Sequence, residues 1–304
     1  MAGSDRRAAV TPAAPRRRGR GTLALAAAAL AVANAPALAR PERVVSLHLC
    51  ADQLLLGLAD RSQVVSLSPF ATDPLRSHMA AAAAGIPRSR GTAEEVLGMT
   101  PDLVLAGARS ARSTVATLSR LGIRVMDLPL PRDFAAIRDQ IRAVAAALGH
   151  AARGEAMIAA MDARLAAARH DVPRPRPVAF IWQPGGFTSG PGSLEHAVLA
   201  AAGFDNLAAR FGIGPFGHLP LERLVRAVPD LVINWMGSEP FPSLAREGLH
   251  HPALLKAARG TPVLSMPPEL WTCGAWFTAG AVERLAAVRR ALGKRRAAAE
   301  RGRP

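Results

Sequence analysis

The sequence predicts an α/β protein made of two Rossmann-like lobes. Each lobe is expected to hold a parallel central sheet, and a single long α-helix is expected to join the lobes, with a ligand cleft between them. Two observations carry this prediction: one sequence pattern occurs once in each half of the chain, and a long helical segment separates the two copies. Half of the 304 residues are apolar, which is enough to build two cores.

The N-terminal segment, residues 1–39, has the three-part layout of a secretory signal peptide. A basic region that ends at Arg20 precedes an apolar run over residues 22–33, and the small residues Ala37 and Ala39 follow. The apolar run is shorter than the roughly 20 residues that a membrane-spanning helix needs. We therefore expect cleavage after Ala39 and export of the remaining chain; the alternative is an uncleaved membrane anchor.

More than half of the formal net charge of +15 comes from the two ends of the chain. The signal-like segment carries six arginines and one acidic residue, and a basic tail over residues 293–304 carries five basic residues and one glutamate. No recognition motif and no basic patch interleaved with aromatic residues accompanies this charge. We therefore expect no nucleic-acid partner.

The repeated pattern is a short helix, a proline and a strand. TAEEVLGMTPDLVLAG (92–107) and PLERLVRAVPDLVINW (220–235) each carry a glutamate seven residues before Pro-Asp-Leu-Val, namely Glu94 and Glu222. The proline ends the helix, and the Leu and Val residues after it favour a strand. Two lobes of similar construction follow, over residues 40–132 and 177–292.

A helical connection is predicted between the lobes, over residues 133–176. Apolar residues recur at three- and four-residue steps from Phe134 to Leu148, which is typical of an amphipathic helix. A second helical run extends from His150 to His170, about 30 Å at 1.5 Å per residue, and ends at a proline-rich stretch. This second helix is the expected link between the lobes.

The loops that follow predicted strands are the candidate site, because ligands of open parallel α/β sheets bind beyond the carboxyl ends of the strands. All four tryptophans lie at or just after predicted strand ends of the second lobe, which indicates a flat apolar ligand surface. The alternative is that Trp182 and Trp235 point into the core. The candidate ligand-contacting residues are His48, Cys50, Phe70, Arg109, Trp182, Phe187, His218, Trp235, Trp271 and Trp276.

The chain resembles the periplasmic substrate-binding proteins of ABC importers for cobalamin and ferric siderophores, the class with a helical backbone between lobes. The resemblance covers nearly all the sequence after residue 39. It rests on RVVSLHLCADQLLLGLA (43–59), on the glutamate pattern in each lobe, on GGFTSGPGSLEHAVLAAAGFDN (185–206) and on HPAL (251–254).

This resemblance implies a periplasmic, monomeric protein that is not an enzyme and carries no cofactor of its own. Its ligand would be a bulky cobalt or iron chelate, delivered to an ABC permease dimer at the inner membrane. Glu94 and Glu222 occupy the positions at which members of this family pair with permease arginines. One exposed carboxylate per lobe suits a symmetric partner. The cleft offers the cation Arg109, with Arg76 and Arg132 as outside candidates, which favours a near-neutral corrinoid or a hydroxamate chelate slightly over a catecholate.

Two other functions use the same residues. A secreted heme- or metal-ion-binding protein would draw on His48, Cys50, His218 and Cys273, although no HxxxH or CxxC spacing supports a metal site. A cleft hydrolase would use Cys50 with His48, a pair that two-residue spacing on one strand rarely brings within hydrogen-bond reach.

The two cysteines have a further interpretation. Cys50 and Cys273 both follow strands, on the same side of their lobes, and an oxidising compartment favours a disulfide between them. Such a bond would join the lobes and restrict the opening of the cleft. Asp52 is interpreted as a helix-start residue, because a carboxylate there meets free backbone N–H groups.

Overall fold

The structure is a computed structural model that describes residues 40–108, 110, 112–234 and 261–301. Its N-terminal half alternates strands and helices, as the repeated pattern predicts. The elements are β1 (Val44–Ser46), α1 (Leu49–Leu58), β2 (Val64–Ser66), α2 (Ala93–Gly98), β3 (Leu103–Gly107), α3 (Arg112–Arg120) and β4 (Val125–Leu128).

The four strands form one parallel sheet in the order β2-β1-β3-β4. β1 and β3 occupy its centre and are buried over their whole length, as expected for strands that helices cover on both faces. Val45 pairs with Val104 across these two strands. Because the order reverses between β1 and β3, the loops after these strands flank the point where ligands of such sheets bind.

Two helices follow the first sheet, α4 (Phe134–Ala147) and α5 (Ala151–Ala168). The Asp133 side chain caps α4 by accepting from the backbone N–H of Ala136. The exposed side of the pair carries ion pairs from α4 to α5, Arg138 to Asp162 and Arg142 to Glu155. α5 is the predicted long helix, and it is about 27 Å long at 1.5 Å per residue.

The C-terminal half repeats the same alternation with one insertion. Its elements are β5 (Val178–Trp182), β6 (Phe187–Ser189), α6 (Leu194–Ala201), β7 (Asp205–Asn206), α7 (Leu207–Arg210), β8 (Phe216–His218), α8 (Leu221–Ala227), β9 (Leu231–Asn234), β10 (Val263–Ser265) and α9 (Ala279–Arg301).

The second sheet is also parallel and has the order β7-β5-β9-β10. Counted from its own first strand, this order is the same as that of the first sheet, so α2 and β3 correspond to α8 and β9. The inserted β6 and β8 pair antiparallel as a separate two-stranded ribbon. The fold is therefore the predicted pair of α/β lobes with parallel sheets, and one apolar core runs from β1 and β3 through α4 and α5 to β5.

The described part of the predicted basic tail, residues 293–301, is helical, because α9 continues through Gly293 to Arg301. This helix packs along α5, where Arg164 makes a two-point ion pair with Glu283. Among the helices that the structure describes, none combines the length and the apolar character needed to cross a membrane.

Arg289 of α9 is a buried cation that joins three helices. Its guanidinium donates to the carbonyls of Ala202, at the end of α6, and of Ala168 and His170, at the end of α5. The carbonyl ends of helices carry partial negative charge, so they offset the burial of this cation. Gly203 lies against this guanidinium at a φ of 82°, so a side chain there would be strained and would displace Arg289 or Val172.

Candidate functional site

The carboxyl ends of the two sheets meet at a disulfide. Cys50 lies in the first turn of α1, directly after β1, and Cys273 lies in the loop after β10. Their Cα atoms are 5.1 Å apart and their sulfurs are bonded, so the structure contains the pair that the sequence suggested. Cys273 is buried, and the bond joins residues 223 positions apart.

The segment around Cys273, residues 267–278, extends from the second lobe onto the first. The Trp276 ring lies against Gly57 of α1, where a Cβ would come within 2.4 Å of it. Phe277 stacks on His78 of the N-terminal lobe, with ring centroids 4.4 Å apart. Gly274 packs so closely on Pro131, after β4, that only glycine fits. This contact segment therefore fixes the lobes to each other on one side.

The His48 side chain lies at the carboxyl ends of β1 and β3, the two central strands of the first sheet. Its Nδ1 accepts from the backbone N–H of Cys50, so this imidazole caps the start of α1. A Cβ on Gly107, at the end of β3, would come within 2.7 Å of the ring. His48 and Cys50 line a narrow crevice with Leu128 and Pro131, after β4. The crevice is at the predicted place but is too small to enclose a large ligand.

Asp52 lies in the first turn of α1, as its interpretation as a helix-start residue requires, but its carboxylate does not accept from the free backbone N–H groups of that turn. The cap of α1 is His48, and the Asp52 carboxylate is fully buried, where it accepts from the backbone N–H and the hydroxyl of Ser68. Burial raises the pKa of Asp52 to about 6, against smaller opposite effects of hydrogen bonds from Ser46 and Ser68. Asp52 therefore anchors the loop after β2.

Phe70 lies in that anchored loop and exposes about half of its surface, 51%. The guanidinium carbon of Arg76 lies 5.3 Å from the centroid of the ring, which is a cation–π contact. A large exposed aromatic ring at the carboxyl end of a sheet is a surface that a flat ligand can cover. Phe70 and Arg76, which were predicted separately, thus form one cation–π pair at this surface.

The ribbon of β6 and β8 brings together two further predicted residues, Phe187 and His218. They are cross-strand partners with ring centroids 5.4 Å apart. Phe216 stacks on Phe187 at 5.9 Å and is the more exposed ring, at 59%. We call Phe187, Phe216 and His218 the aromatic platform; it follows β5, at the carboxyl end of the second sheet.

The sequence did not single out Phe216. The sequence feature that could identify it is its two-residue spacing from His218, because residues two apart in a strand have their side chains on the same face. That signal becomes useful once β8 is known to pair with β6.

Two of the predicted tryptophans are buried instead of facing a ligand. Trp182 is 4% exposed and packs with Phe180 and Leu219 in a core cluster of the second lobe. Trp271 is 3% exposed and belongs to the main core. Their large apolar area is satisfied by protein neighbours, so neither offers a surface to a ligand in this structure. Trp276 is half-buried against the other lobe, as described above.

Arg109 and Trp235 lie outside the described residues. The two cysteines are bonded to each other, so neither thiolate is available for a metal ion or a nucleophilic attack. Within the described part of the chain, no three His, Cys, Asp or Glu side chains gather as a metal site.

Glu94 and Glu222 occupy corresponding places in the two lobes. Each is exposed and lies in the first turn of the helix before a central strand, α2 before β3 and α8 before β9. Thr92 caps α2 by accepting from the backbone N–H of Glu95, which leaves the Glu94 carboxylate directed to solvent. Pro220 precedes α8 at the corresponding point.

The fold is that of a two-lobed binding protein. It has two sheets of identical strand order, a helical connection between them, and aromatic rings exposed beyond the strand ends. Residues 44–270 match the periplasmic binding protein family, and the chain belongs to that family.

Cobalamin-binding proteins from two strains of Halobacterium salinarum are 32% identical over 206 residues, which is 66% of this chain and 56% of theirs. The chain thus spans little more than half the length of these curated relatives. Among solved structures, the apo periplasmic heme-binding protein RhuT of Roseiflexus sp. RS-1 is similar, with 26% identity and a TM-score of 0.68 over 83% of this chain and 98% of that one. The periplasmic vitamin B12 binding protein BtuF of Vibrio cholerae shares the fold, with 17% identity and a TM-score of 0.63 over 84% of this chain and 98% of that one.

Proposed function

We propose that this protein is the periplasmic solute-binding protein of an ABC importer, not an enzyme, and that it captures a bulky cobalt or iron chelate between its lobes and delivers it to a membrane permease. The observation that carries the proposal is that rings are exposed beyond the carboxyl ends of both sheets, Phe70 on one lobe and the aromatic platform on the other. The cobalamin-binding relatives and the family support the ligand class.

The chemistry of these surfaces suits a large, flat ligand of low charge. Phe187 and Phe216 offer two parallel rings, with an interplanar angle of 12°, over which a macrocycle can lie. Arg76 supplies a cation near Phe70. A few cations beside apolar rings favour a near-neutral corrinoid or hydroxamate chelate over a highly anionic catecholate.

Capture without chemistry fits the residues at the strand ends. Cys50, the candidate nucleophile of a hydrolase, is held in the disulfide, and His48 uses Nδ1 to accept from the backbone of α1. Neither group is placed as a nucleophile and its base.

Heme is the second candidate ligand, and His218 favours it. An exposed imidazole at the edge of stacked phenyl rings is suited to coordinate an iron that lies over the platform. The heme-binding structure from Roseiflexus is one solved relative that supports this candidate.

Ligand capture is tested by titrating the protein with cyanocobalamin, hemin and ferrichrome while tryptophan fluorescence and visible absorption are recorded. We expect at least one to bind at micromolar concentration, and we expect Phe216→Ala to weaken that binding by about fivefold, since removing a stacked ring costs on the order of 1 kcal/mol. Leu121→Ala, which removes an equally exposed apolar side chain from the turn after α3, is the matched control and should bind as wild type. A shift of the heme Soret band that His218→Ala abolishes would select heme.

If none of the three chelates binds, the proposed ligand class is wrong. If Phe216→Ala and Leu121→Ala bind equally well, the aromatic platform is not the contact surface.

Delivery is assigned to Glu94 and Glu222, whose matching positions suit two equivalent permease subunits. Glu94→Arg should leave chelate binding intact and lower cellular uptake of the chelate at least tenfold, because a cation there repels a permease arginine. Glu42→Arg, a substitution of another exposed glutamate on the same lobe, should change neither. Equal uptake in both variants would contradict this role for Glu94.

A further inference from the structure

The end of the second lobe that faces away from the aromatic platform carries a concentrated positive charge. We call this surface the basic end. It consists of the exposed side chains of Arg169, Arg174, Arg176, Arg290, Lys294 and Arg295. None of these six side chains makes an ion pair with a residue that the structure describes. The exposed acids beside them are Asp171 and Asp205, whose backbone N–H donates to the carbonyl of Pro177, so the positive charges outnumber the exposed acids six to two.

The six residues come from two separate segments that the fold places side by side. Arg289 of α9 donates to the carbonyls of Ala168 and His170, so the residues around Arg169 lie directly beside the middle of α9. The charges of Arg290 and Arg176 both act on the guanidinium of Arg289, which puts these two residues near the same point. The basic end is therefore one surface.

The basic end lies next to the first residues of β5 and β9 in the second sheet. Arg296, one turn of α9 beyond Leu292, pairs with Asp230, which directly precedes β9. The other oxygen of that carboxylate accepts from the backbone N–H of Val178, the first residue of β5. The basic end is thus at the amino edge of the sheet, whereas the aromatic platform follows the carboxyl edge.

The candidate permease contact of this lobe also lies away from the basic end. The backbone N–H of Leu219 donates to the carbonyl of Gly186, beside the platform, so Glu222 begins α8 at the platform side. The helix then runs toward the start of β9, where Arg296 is paired. Glu222 and the basic end therefore lie at different ends of the same lobe, and neither ligand capture nor delivery uses the basic end.

We propose that the basic end binds the anionic phospholipid surface of the inner membrane and holds the undocked protein close to it. The inference rests on the proposed periplasmic function, since that places the protein beside this membrane. Six exposed cations that make no ion pair with a described residue match a plane of anionic headgroups, where each Lys or Arg strengthens binding about fivefold. No apolar side chain needs to insert, so the binding is weak, reversible and sensitive to salt.

Nucleic acid fits this surface less well. The six basic residues are accompanied by Ala, Pro and Gly in their segments, not by the aromatic side chains on which unpaired bases stack. The surface is formed by the outer side of α9 and by the segment after α5. A flat membrane can cover such a surface, whereas single-stranded nucleic acid is usually bound in a groove. Nucleic-acid binding is accordingly an outcome of the test that counts against the proposal.

The test measures co-sedimentation of the exported, processed protein with phosphatidylcholine vesicles that contain or lack phosphatidylglycerol. We expect binding to the anionic vesicles alone, and loss of that binding at high salt. The triple variant Arg290→Glu, Lys294→Glu, Arg295→Glu should bind at least about a hundredfold more weakly, because losing each basic residue costs about fivefold and the added carboxylates repel the headgroups further. The triple variant Arg112→Glu, Arg120→Glu, Arg124→Glu makes the same change in net charge on the N-terminal lobe and should retain binding.

Several results would overturn the proposal: equal binding to both vesicle types, an equal loss in the two triple variants, or tighter binding of a DNA oligonucleotide with the same loss in the α9 variant. Titration of all three proteins with cyanocobalamin and hemin separates this inference from the proposed function. Chelate binding without vesicle binding contradicts the inference alone, whereas vesicle binding without chelate binding contradicts the proposed function.

Discussion

The buried carboxylate of Asp52 connects the start of α1 to the loop that carries Phe70. Two donors from Ser68 hold it, so one side chain joins α1 to the loop after β2, in which the candidate ligand contact Phe70 lies. Burial makes the charged form of this carboxylate unfavourable, because a buried charge is poorly solvated. At residue scale, the candidate site is held by a group whose protonation changes near pH 6.

Asp52→Asn should change how stability depends on pH. The pKa of Asp52 is raised from 3.8 to about 6, so between these values the folded protein binds more protons than the unfolded chain. The free energy of unfolding of the wild type should therefore fall as pH rises from about 4 to 6, by up to about 3 kcal/mol relative to Asp52→Asn, which cannot ionise. Urea unfolding at pH 4, 5, 6 and 7 measures this difference.

Asp205→Asn, which removes an exposed carboxylate in β7, is the control and should follow the wild type across this range. A difference between wild type and Asp52→Asn that stays constant with pH would contradict the assignment.

At the scale of elements, the helices of the second half depend on one guanidinium. Arg289 gives the carbonyl ends of α5 and α6 their donors and is 2% exposed. Desolvation lowers the pKa of Arg289, yet the fixed carbonyl dipoles keep a charged group acceptable there. The packing of α9 against both helices is thus specified by hydrogen bonds as well as by apolar contacts.

Arg289→Met should lower the free energy of unfolding by about 3 kcal/mol, because it keeps much of the apolar stem but leaves two buried carbonyls and one part-buried carbonyl without their donor. Arg290→Met, a change at the adjacent exposed position, should leave stability within about 0.5 kcal/mol of wild type. Thermal and urea unfolding compare the two variants. Equal stability of both would show that Arg289 acts only as a packing residue.

Elements with strong local signals could be predicted from the sequence. The glutamate and proline of 92–107 and 220–235 mark where a helix ends and a central strand begins, and the apolar spacing of α4 and α5 requires helices. The direction of Trp182 could not be predicted, since either face of a central strand can be buried. The aromatic platform and the Asp52 contact depend on pairing between residues distant in sequence, which local patterns do not specify.

For the whole molecule, the disulfide and the contact segment act on the same side of the lobes. The bond holds the Cα atoms of Cys50 and Cys273 at 5.1 Å, while Trp276 and Phe277 pack on the first lobe next to it. Opening for a ligand is therefore restricted on this side. The ring surfaces of Phe70 and of the platform are the parts left exposed.

Replacing both cysteines by serine should lower the free energy of unfolding by about 2–5 kcal/mol, since the bond closes a very long loop in the unfolded chain. The variant should also show a larger difference in radius of gyration between ligand-free and chelate-bound protein, measured by small-angle X-ray scattering. Thiol titration of the wild type before and after reduction confirms the starting state. An unchanged unfolding midpoint, or an unchanged radius of gyration, would contradict the restriction.

The two cysteines also determine how the chain can go wrong while it is being made. The chain has two cysteines, so no incorrect intramolecular pairing exists for it to adopt. Cys50 emerges from the ribosome first and has no partner in its own chain until 223 further residues have been added. An oxidant that reaches the chain in that interval can join Cys50 only to a partner outside its own chain, such as a small thiol, an oxidoreductase or a second copy of this chain. A mixed disulfide at Cys50 is therefore the covalent by-product to expect when oxidation precedes the arrival of Cys273.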